Sequence, residues 1–247
     1  MSQWAQGRIS NTIHWTPNLF SLQIDADIHS FEAGQYTLLG LDIDGQRIAE
    51  PYSILSAPGE NPLEFFFYTR LEGDLSTSLS RLRVGDRIWV QDPPDGDFSI
   101  NRVSAADTLW LLATGTGVAP FVSILKTDTP WQNFRHVVLV YAARYLDDLR
   151  YTELFDELKL RYPGRFTFLP FISREAVPDM KQGHITESLQ DGSLEQMAEH
   201  TLQPDDSRVM LCGNPGMIRD VVERLHERGF RDSDGQGNGE LTYESYW

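Results

Sequence analysis

The stretch Leu111-Leu112-Ala113-Thr114-Gly115-Thr116-Gly117-Val118-Ala119-Pro120 decides the fold of this chain. It has the pattern of an apolar strand that runs into a glycine-rich turn, followed by a helix with proline in its first turn. Glycine lets the backbone approach a bound molecule closely, and the free amides of a helix N-terminus bind phosphate. A plain strand-to-helix turn is the alternative, because the third glycine and the acidic partner of the dinucleotide fingerprint are missing.

Around this stretch, from about residue 103 onward, apolar strand-like segments alternate with helix-length segments. Such alternation is typical of a doubly wound parallel sheet, in which ligands bind beyond the carboxyl ends of the strands. The predicted strands span residues 108–113, 136–141, 165–171 and 207–212, and the predicted helices span residues 120–126, 151–162, 184–190 and 217–229.

Residues 5–100 show a different pattern, in which short apolar runs are separated by turn residues such as Asp44-Gly45 and Pro58-Gly59. Short strands at this spacing indicate an antiparallel β-barrel. The predicted strands span residues 20–24, 35–40, 63–69 and 87–91, with one helix at 76–82. We therefore predict two domains: an antiparallel β-barrel over residues 1–101, followed by an α/β doubly wound parallel sheet over residues 102–247.

Composition excludes several classes of protein. The formal net charge is −15, which disfavours binding to nucleic acid and to anionic membrane surfaces. The single cysteine, Cys212, cannot form an internal disulfide, a multi-cysteine zinc site or a cysteine-ligated iron–sulfur cluster, and we predict no metal. The N-terminus lacks a signal peptide's apolar run, and no apolar stretch is long enough to span a bilayer. We expect a cytoplasmic protein that acts as a monomer.

Two further motifs lie in the first half. In Glu50-Pro51-Tyr52-Ser53, the tyrosine can stack on a flat ring while the serine hydroxyl reaches the ring's edge. The alternative is an aromatic side chain packed in the core at a strand end. The segment Gly73-Asp74-Leu75-Ser76-Thr77 opens the predicted helix and offers amides and hydroxyls to a phosphate, although an ordinary helix N-cap has the same pattern.

Two motifs also stand out in the second half. Leu211-Cys212-Gly213-Asn214-Pro215 places a thiol at the carboxyl end of a predicted strand, where a buried, inert cysteine is the alternative. Arg144 and Arg174 each follow a predicted strand, at equivalent positions of the sheet. Arginine suits bidentate phosphate binding, whereas either residue alone is read as a solvated surface charge.

These motifs occur together and in order in one family, and the chain resembles the bacterial ferredoxin/flavodoxin–NADP reductases over essentially its whole length. The segments that carry the resemblance are 33–36, 52–53, 73–76, 113–120, 142–145, 173–175, 210–215 and 246–247. The resemblance implies that FAD binds to the barrel and NADP(H) to the second domain. Hydride would pass between nicotinamide and flavin, and single electrons would pass on to ferredoxin or flavodoxin.

The resemblance also implies the site residues. Ser53 would hydrogen-bond near the flavin N5, Cys212 would position the nicotinamide, and Glu244 would relay protons or stabilise the charge-transfer geometry. The 2′-phosphate region of NADP(H) would be bound by Arg144, Ser173 and Arg174. The remaining implied FAD contacts are Glu50, Pro51, Tyr52, Phe66, Phe67, Tyr68, Asp74, Leu75, Ser76, Thr77 and Thr116, together with Tyr246 and Trp247 as an aromatic cover that moves aside for nicotinamide.

Two positions depart from the family pattern. Glu50 stands where the family usually has an arginine at the FAD pyrophosphate, and Arg47 or Arg70 is a candidate to replace that charge. His184 stands where bacterial relatives often have arginine, and a neutral histidine supplies no fixed charge, which leaves the preference for NADP over NAD open.

Two other functions fit the same motifs. One is an NAD(P)H:flavin reductase that uses flavin as a diffusing substrate, which the change at Glu50 favours. The other is a non-catalytic nucleotide-binding subunit of an electron-transfer complex. For an acidic carrier, Arg81, Arg83 and Arg87 provide a candidate local basic patch, with solvated charges around a turn as the alternative.

Overall fold

The computed structural model describes residues 3–69 and 75–246. The chain forms two compact units. The first contains the described residues up to Ser99 together with Ala119–Thr127, and the second contains Ile100–Val118 and the described residues from Asp128 onward. The predicted allocation of FAD to residues 1–101 and of NADP(H) to residues 102–247 stays a prediction.

The first unit is an antiparallel sheet of six strands in the order β4-β3-β6-β1-β2-β5. Its elements are β1 Gln3–Thr16, β2 Leu19–Asp25, β3 Tyr36–Ile43, β4 Gln46–Ser53, β5 Leu63–Tyr68, α1 Leu75–Ser80 and β6 Arg87–Asp92. The sheet curls until Ile54, just after β4, bridges Phe65 of β5, and the Leu55 N–H donates to the Glu64 carbonyl at 2.9 Å. The predicted antiparallel barrel is confirmed as this curled sheet.

Side chains of the curled sheet alternate between an inner and an outer face, as the strand pleat requires. Ile9, Leu39 and Val90 belong to the apolar core on the inner face. Their chain neighbours Arg8 and Trp89 therefore lie on the outer face. This alternation decides which charged groups of the first unit share a surface.

The second unit is a parallel sheet of six strands in the order β10-β9-β8-β7-β11-β12. The elements from residue 106 onward are β7 Ala106–Thr114, α2 Ala119–Leu125, α3 Thr129–Asn133, β8 Phe134–Ala143, α4 Thr152–Arg161, β9 Phe166–Ile172, β10 Lys181–Gln182, α5 Ile185–Gln190, α6 Ser193–Ala198, β11 Ser207–Gly213, α7 Pro215–Glu227 and β12 Leu241–Ser245. Of these, α2 alone is part of the first unit, where Phe121 packs against Phe98 and the Ser123 hydroxyl donates to the Ser56 carbonyl at 2.7 Å.

Helices cover both faces of the parallel sheet. On one face Phe155 of α4 packs against Tyr141, and on the other Val138 joins a core built with α5, α6 and α7. This arrangement confirms the predicted doubly wound sheet, whose central strands are mainly apolar because helices cover both of its faces. Among the helices formed by the described residues, none has both the length and the apolar character needed to cross a bilayer.

The chain reverses its direction of winding at β7. It runs from β7 outward through β8 and β9 to β10, and then returns to β11 on the other side of β7. In open α/β sheets such a reversal leaves a crevice at the carboxyl ends of the two adjoining strands, where ligands bind. The glycine-rich turn and the Cys212 motif follow these two strands.

Candidate functional site

At the carboxyl ends of β7 and β11, the two loops that follow these strands meet through backbone atoms. A Cβ added to Gly117 would clash with the Cys212 carbonyl oxygen, and would lie 2.6 Å from its carbonyl carbon and 2.7 Å from the Gly213 Cα. Gly213 has φ +133°, and a Cβ there would meet Thr114. Only glycine fits at either position, so the two loops lie backbone to backbone at the end of the sheet.

The loop after β11 is fixed by side chains that cap α7. The Asn214 carboxamide oxygen accepts the N–H groups of Gly216 at 2.9 Å and Met217 at 3.2 Å, and Pro215 occupies the first turn. The Asn214 N–H donates to the Thr114 hydroxyl at 2.7 Å, which ties this loop to the end of β7. Thr114 and Asn214 belong to two of the sequence motifs, but neither was predicted as a site residue, although Asn-Pro before an apolar helix is a recognisable N-cap signal.

Cys212 and Glu244 are register partners on β11 and β12. The thiol is fully buried. Burial and the nearby Glu244 carboxylate raise the Cys212 pKa well above its ordinary value, and a hydrogen bond with the Tyr246 side chain offsets this only in part. Cys212 is therefore a neutral thiol at physiological pH and is not suited to nucleophilic attack.

Glu244 is the ionisable group of this site. Burial raises the pKa of its carboxyl to about 7. One of its oxygens, Oε2, is buried and accepts no hydrogen bond from the described residues. A bound molecule or water usually satisfies such an atom. Next to it, the Tyr246 N–H donates to the Gly213 carbonyl at 2.9 Å, which places Tyr246 beside the Cys212 loop.

Arg144 and Arg174 lie together at the carboxyl edge of the sheet. The Arg174 N–H donates to the Arg144 carbonyl at 3.0 Å, and the Ser173 N–H donates to the Ala143 carbonyl at 3.1 Å. Both arginine side chains are exposed, and His184, directly before α5, is exposed as well. The segments that follow β8, β9 and β10 thus present two arginines and a histidine in succession.

The predicted flavin contacts on β4 lie at the end of that strand. Tyr52 is half-buried, and its ring meets Phe67 edge-to-face at 5.6 Å between centroids. Its hydroxyl donates to the Glu50 carboxylate at 3.3 Å. Ser53 is buried, while Pro51 is exposed.

The predicted contacts on β5 and α1 divide between surfaces. Phe67 belongs to the barrel core, whereas Phe66 and Tyr68 alternate onto the other face of β5. The remaining predicted positions with described structure are buried Leu75, Ser76 and Thr116 and half-buried Thr77. The predicted contacts Asp74 and Trp247 lie outside the described residues, as does Arg70.

Arg47 does not replace a cation at Glu50. Its guanidinium binds both carboxylate oxygens of Asp42 at 3.0 and 3.2 Å and lies 4.0 Å from the Trp89 ring. Glu50 pairs with the core residue Leu39 across β3 and β4, so it lies on the inner face and Arg47 on the outer one. The odd spacing of three residues along one strand puts the two side chains on opposite sides of the sheet.

Comparison with known proteins agrees with this geometry. A sequence model of the oxidoreductase NAD-binding domain matches residues 111–223. The flavodoxin/ferredoxin–NADP reductase of Escherichia coli K12 is 39% identical over the full length of both chains, and the ferredoxin–NADP reductase of Azotobacter vinelandii is 31% identical over 96% of this chain and 95% of its own. A crystal structure of a ferredoxin–NADP+ reductase from Neisseria gonorrhoeae with bound FAD and NADP matches 99% of each chain, with a TM-score of 0.93 and 29% identity. The chain therefore belongs to the flavodoxin/ferredoxin–NADP reductase family.

Proposed function

We propose that this protein is an FAD-dependent reductase that transfers electrons between NADP(H) and a one-electron carrier, ferredoxin or flavodoxin. The observation that carries the proposal is the full-length match to reductases of this activity, on a chain whose crevice keeps the backbone contact between Gly117 and Cys212-Gly213.

The second unit fits a nicotinamide nucleotide. The loops after β7 and β11 meet beside Cys212, and the Glu244 Oε2 atom, which has no hydrogen-bond partner among residues 3–69 and 75–246, lies on the neighbouring strand. Arg144 and Arg174 supply two exposed guanidinium groups at the same edge, which suits a phosphate dianion. We therefore assign NADP(H) to this edge, with Ser173 as a further contact.

The first unit fits a flavin. Tyr52 offers a half-buried ring at a strand end, and Ser53 follows it with a hydroxyl. FAD, when bound, supplies the exchange between hydride transfer and single-electron transfer. Ser53 then holds a hydrogen bond at the ring's edge, Cys212 packs against the nicotinamide as a neutral thiol, and Glu244 holds or releases a proton near pH 7.

The test of the function uses the purified full-length chain. We expect a yellow protein that releases FAD on denaturation, and that oxidises NADPH with ferricyanide and with flavodoxin or ferredoxin as acceptor. A protein that retains no FAD would refute the proposal in favour of a flavin reductase. A protein that oxidises no NADPH with ferricyanide, even when FAD is supplied, would leave a non-catalytic role.

The hydroxyl of Ser53 has its own test. The Ser53→Ala variant is expected to keep FAD and to slow reduction of the bound flavin by NADPH about 10-fold or more, because a preorganised hydrogen bond at the reacting atom is lost. Stopped-flow absorbance measures this step, and an unchanged rate would remove Ser53 from the mechanism.

A flavin reductase is the second candidate, and the Glu50 carboxylate favours it. Glu50 lies near the predicted flavin position with Tyr52 as its hydrogen-bond donor, and Arg47 does not neutralise it. A carboxylate repels a pyrophosphate, so FAD would dissociate more readily. Gel filtration separates the two functions, because a reductase of the proposed kind elutes with FAD, whereas a flavin reductase elutes colourless and reduces added flavin.

We also propose that the protein works as a monomer in the cytoplasm. The single buried cysteine fits a reducing compartment. Light scattering of the FAD-loaded protein measures the mass, and a dimer would contradict the proposal; fractionation of the source cells tests the location.

A further inference from the structure

A side chain joins the two loops that follow β8 and β9. Beyond the ends of these strands, the Arg174 N–H donates to the Arg144 carbonyl at 3.0 Å. Further along both loops, the Glu175 carboxylate accepts the N–H of Leu146. We name this hydrogen bond the Glu175 tie. It extends the link between the two loops that carry the arginines of the sheet edge.

The loop after β8 is anchored at two points beyond Arg144. Leu146 begins a single 3-10 turn that ends at Asp148. The hydroxyl of Tyr141, a fully buried residue of β8, donates to the Asp148 carbonyl at 3.3 Å. A core side chain therefore holds the end of the turn, and the Glu175 tie holds its beginning.

The two arginines joined in this way are free of ion pairs. Arg144 and Arg174 are exposed, and neither has an ion-pair partner within residues 3–69 and 75–246. Glu175 follows Arg174 directly, so its carboxylate is the nearest anion in the chain to that guanidinium. Because the Leu146 N–H binds this carboxylate, both guanidinium groups remain open to a phosphate.

The charge of Glu175 works against a bound phosphate. A hydrogen bond from an N–H to a charged oxygen is roughly twice as strong as a neutral one, which favours a carboxylate as the acceptor. The same carboxylate adds a negative charge beside a turn that already contains Asp147 and Asp148. Since like charges repel, any contribution of Glu175 to phosphate binding has to come from the geometry that it imposes.

We infer that Glu175 is a positioning residue for the 2′-phosphate of NADP(H); the inference rests on the proposed function. The Glu175 tie holds the loop of Arg144 against the loop of Arg174, so that both guanidinium groups act on one phosphate. Arginine side chains lose much rotamer freedom when they are ordered, and a framework fixed beforehand reduces the part of this cost that falls on binding.

The effect is confined to the phosphorylated coenzyme. NADP(H) carries a phosphate at the adenosine ribose where NAD(H) has a hydroxyl group. Loss of the tie should therefore weaken binding of NADPH and leave NADH nearly unchanged, whereas general damage to the sheet edge would weaken both. The tie does not involve the nicotinamide contact proposed for Cys212, so kcat should change little.

The test compares Glu175→Ala with Glu175→Gln in the FAD-loaded, full-length protein. Both variants lose the negative charge, but the glutamine amide oxygen can still accept the Leu146 N–H. With ferricyanide as acceptor, KM for NADPH is expected to be about 5-fold higher in Glu175→Ala than in Glu175→Gln, which should lie at or below wild type. Calorimetry with adenosine 2′,5′-bisphosphate should give the same ratio of Kd values without turnover of the flavin. KM for NADH should agree within about two-fold between the two variants.

Asp147→Ala is the matched control, because it removes an exposed carboxylate of the same turn and leaves the Glu175 tie in place. Its KM for NADPH should not exceed that of wild type. Equal KM and Kd values in Glu175→Ala and Glu175→Gln would overturn the inference, and so would an equal rise of KM for NADPH and NADH. A wild type that oxidises no NADPH with ferricyanide, even when FAD is supplied, would instead overturn the proposed function.

Discussion

At the scale of single residues, Glu244 makes stability depend on pH. Its pKa is about 7 in the folded protein because of burial, against an ordinary value of 4.5. Between these values the folded state holds a proton that the unfolded state releases, so stability falls as pH rises through this window. Below pH 4.5 the Glu244 carboxyl is protonated in both the folded and the unfolded state, so its titration takes no stability from the folded protein there.

The Glu244→Gln variant is therefore expected to gain stability over wild type at pH 8 relative to pH 5, by up to about 3 kcal/mol. Urea unfolding at the two pH values measures the difference in the free energy of unfolding. Glu227→Gln, in an exposed carboxyl of α7, serves as the matched control. Equal pH dependence in wild type and Glu244→Gln would show that the carboxyl titrates normally.

His184 is expected to limit discrimination between coenzymes. It is exposed directly before α5, in line with Arg144 and Arg174 after the neighbouring strands. In the His184→Arg variant a permanent third cation should bind the 2′-phosphate, lowering KM for NADPH about 5- to 10-fold while leaving KM for NADH unchanged. Steady-state kinetics with both coenzymes and ferricyanide decides this, and an equal effect on both would contradict the assignment of this edge.

Single-residue positions were predictable where they follow a strand. Cys212, Arg144 and Arg174 were assigned to one edge because parallel strands share their carboxyl ends, and the structure puts them there. The bond between Thr114 and Asn214 joins residues 100 positions apart, and the bond between Cys212 and Tyr246 depends on β12 lying next to β11. Neither leaves a local pattern in the sequence.

At the scale of elements, the contact between the β7 and β11 loops is the least tolerant part of the site. Gly117→Ala puts a Cβ 2.6 Å from the Cys212 carbonyl carbon and 2.7 Å from the Gly213 Cα, and these backbone atoms cannot rotate away as a side chain could. The variant is expected to lose about 2–4 kcal/mol of stability and to raise KM for NADPH, because the loops must separate. Chemical denaturation and kinetics measure the two effects.

Gly40→Ala is the control for that substitution. The Cβ there would lie 3.3 Å from side-chain carbons of Arg47, which can move. A cost within about 1 kcal/mol is expected. If Gly117→Ala were equally mild, the backbone contact would not be the feature that holds the crevice together.

Elements with a clear apolar period were predicted well, and others were missed for physical reasons. The four central strands of the second unit were predicted within two residues at each end because their middle residues form continuous apolar runs. Strand β1 (Gln3–Thr16) was missed because only Gly7 and Ile9 are buried, and β12 (Leu241–Ser245) because it is short and follows a glycine-rich loop. That α2 belongs to the first unit depends on contacts far apart in sequence, such as Ser123 with Ser56.

At the scale of the whole molecule, the net charge of −15 should affect every anionic reactant. We expect KM for ferricyanide to fall as salt rises from about 10 to about 150 mM, because the Debye length shrinks from about 30 to about 8 Å and the repulsive field is screened. Steady-state assays at saturating NADPH measure this, with an uncharged quinone as the control acceptor. A ferricyanide KM independent of salt would indicate that local charges outweigh the overall field.

The overall architecture was the most predictable property of the chain. The change near residue 103 from short strands to alternating strands and helices was enough to predict a barrel followed by a doubly wound sheet, and both are observed. The sequence alone did not show which charged side chains lie on the same face of a sheet. The separation of Arg47 from Glu50 across a sheet, and the meeting of Arg8 with Arg87, appear only once the strands are in register.

The contact between the loops after β7 and β11 sets limits for redesign of this enzyme. Gly117 and Gly213 bring no side chain of their own to this contact, so substitution there disturbs the backbone and does not tune selectivity. Arg144, Arg174 and His184 are exposed at the carboxyl edge of the sheet, where substitution does not disturb this backbone contact. A library of variants aimed at a new coenzyme should therefore randomise these three positions and keep both glycines constant.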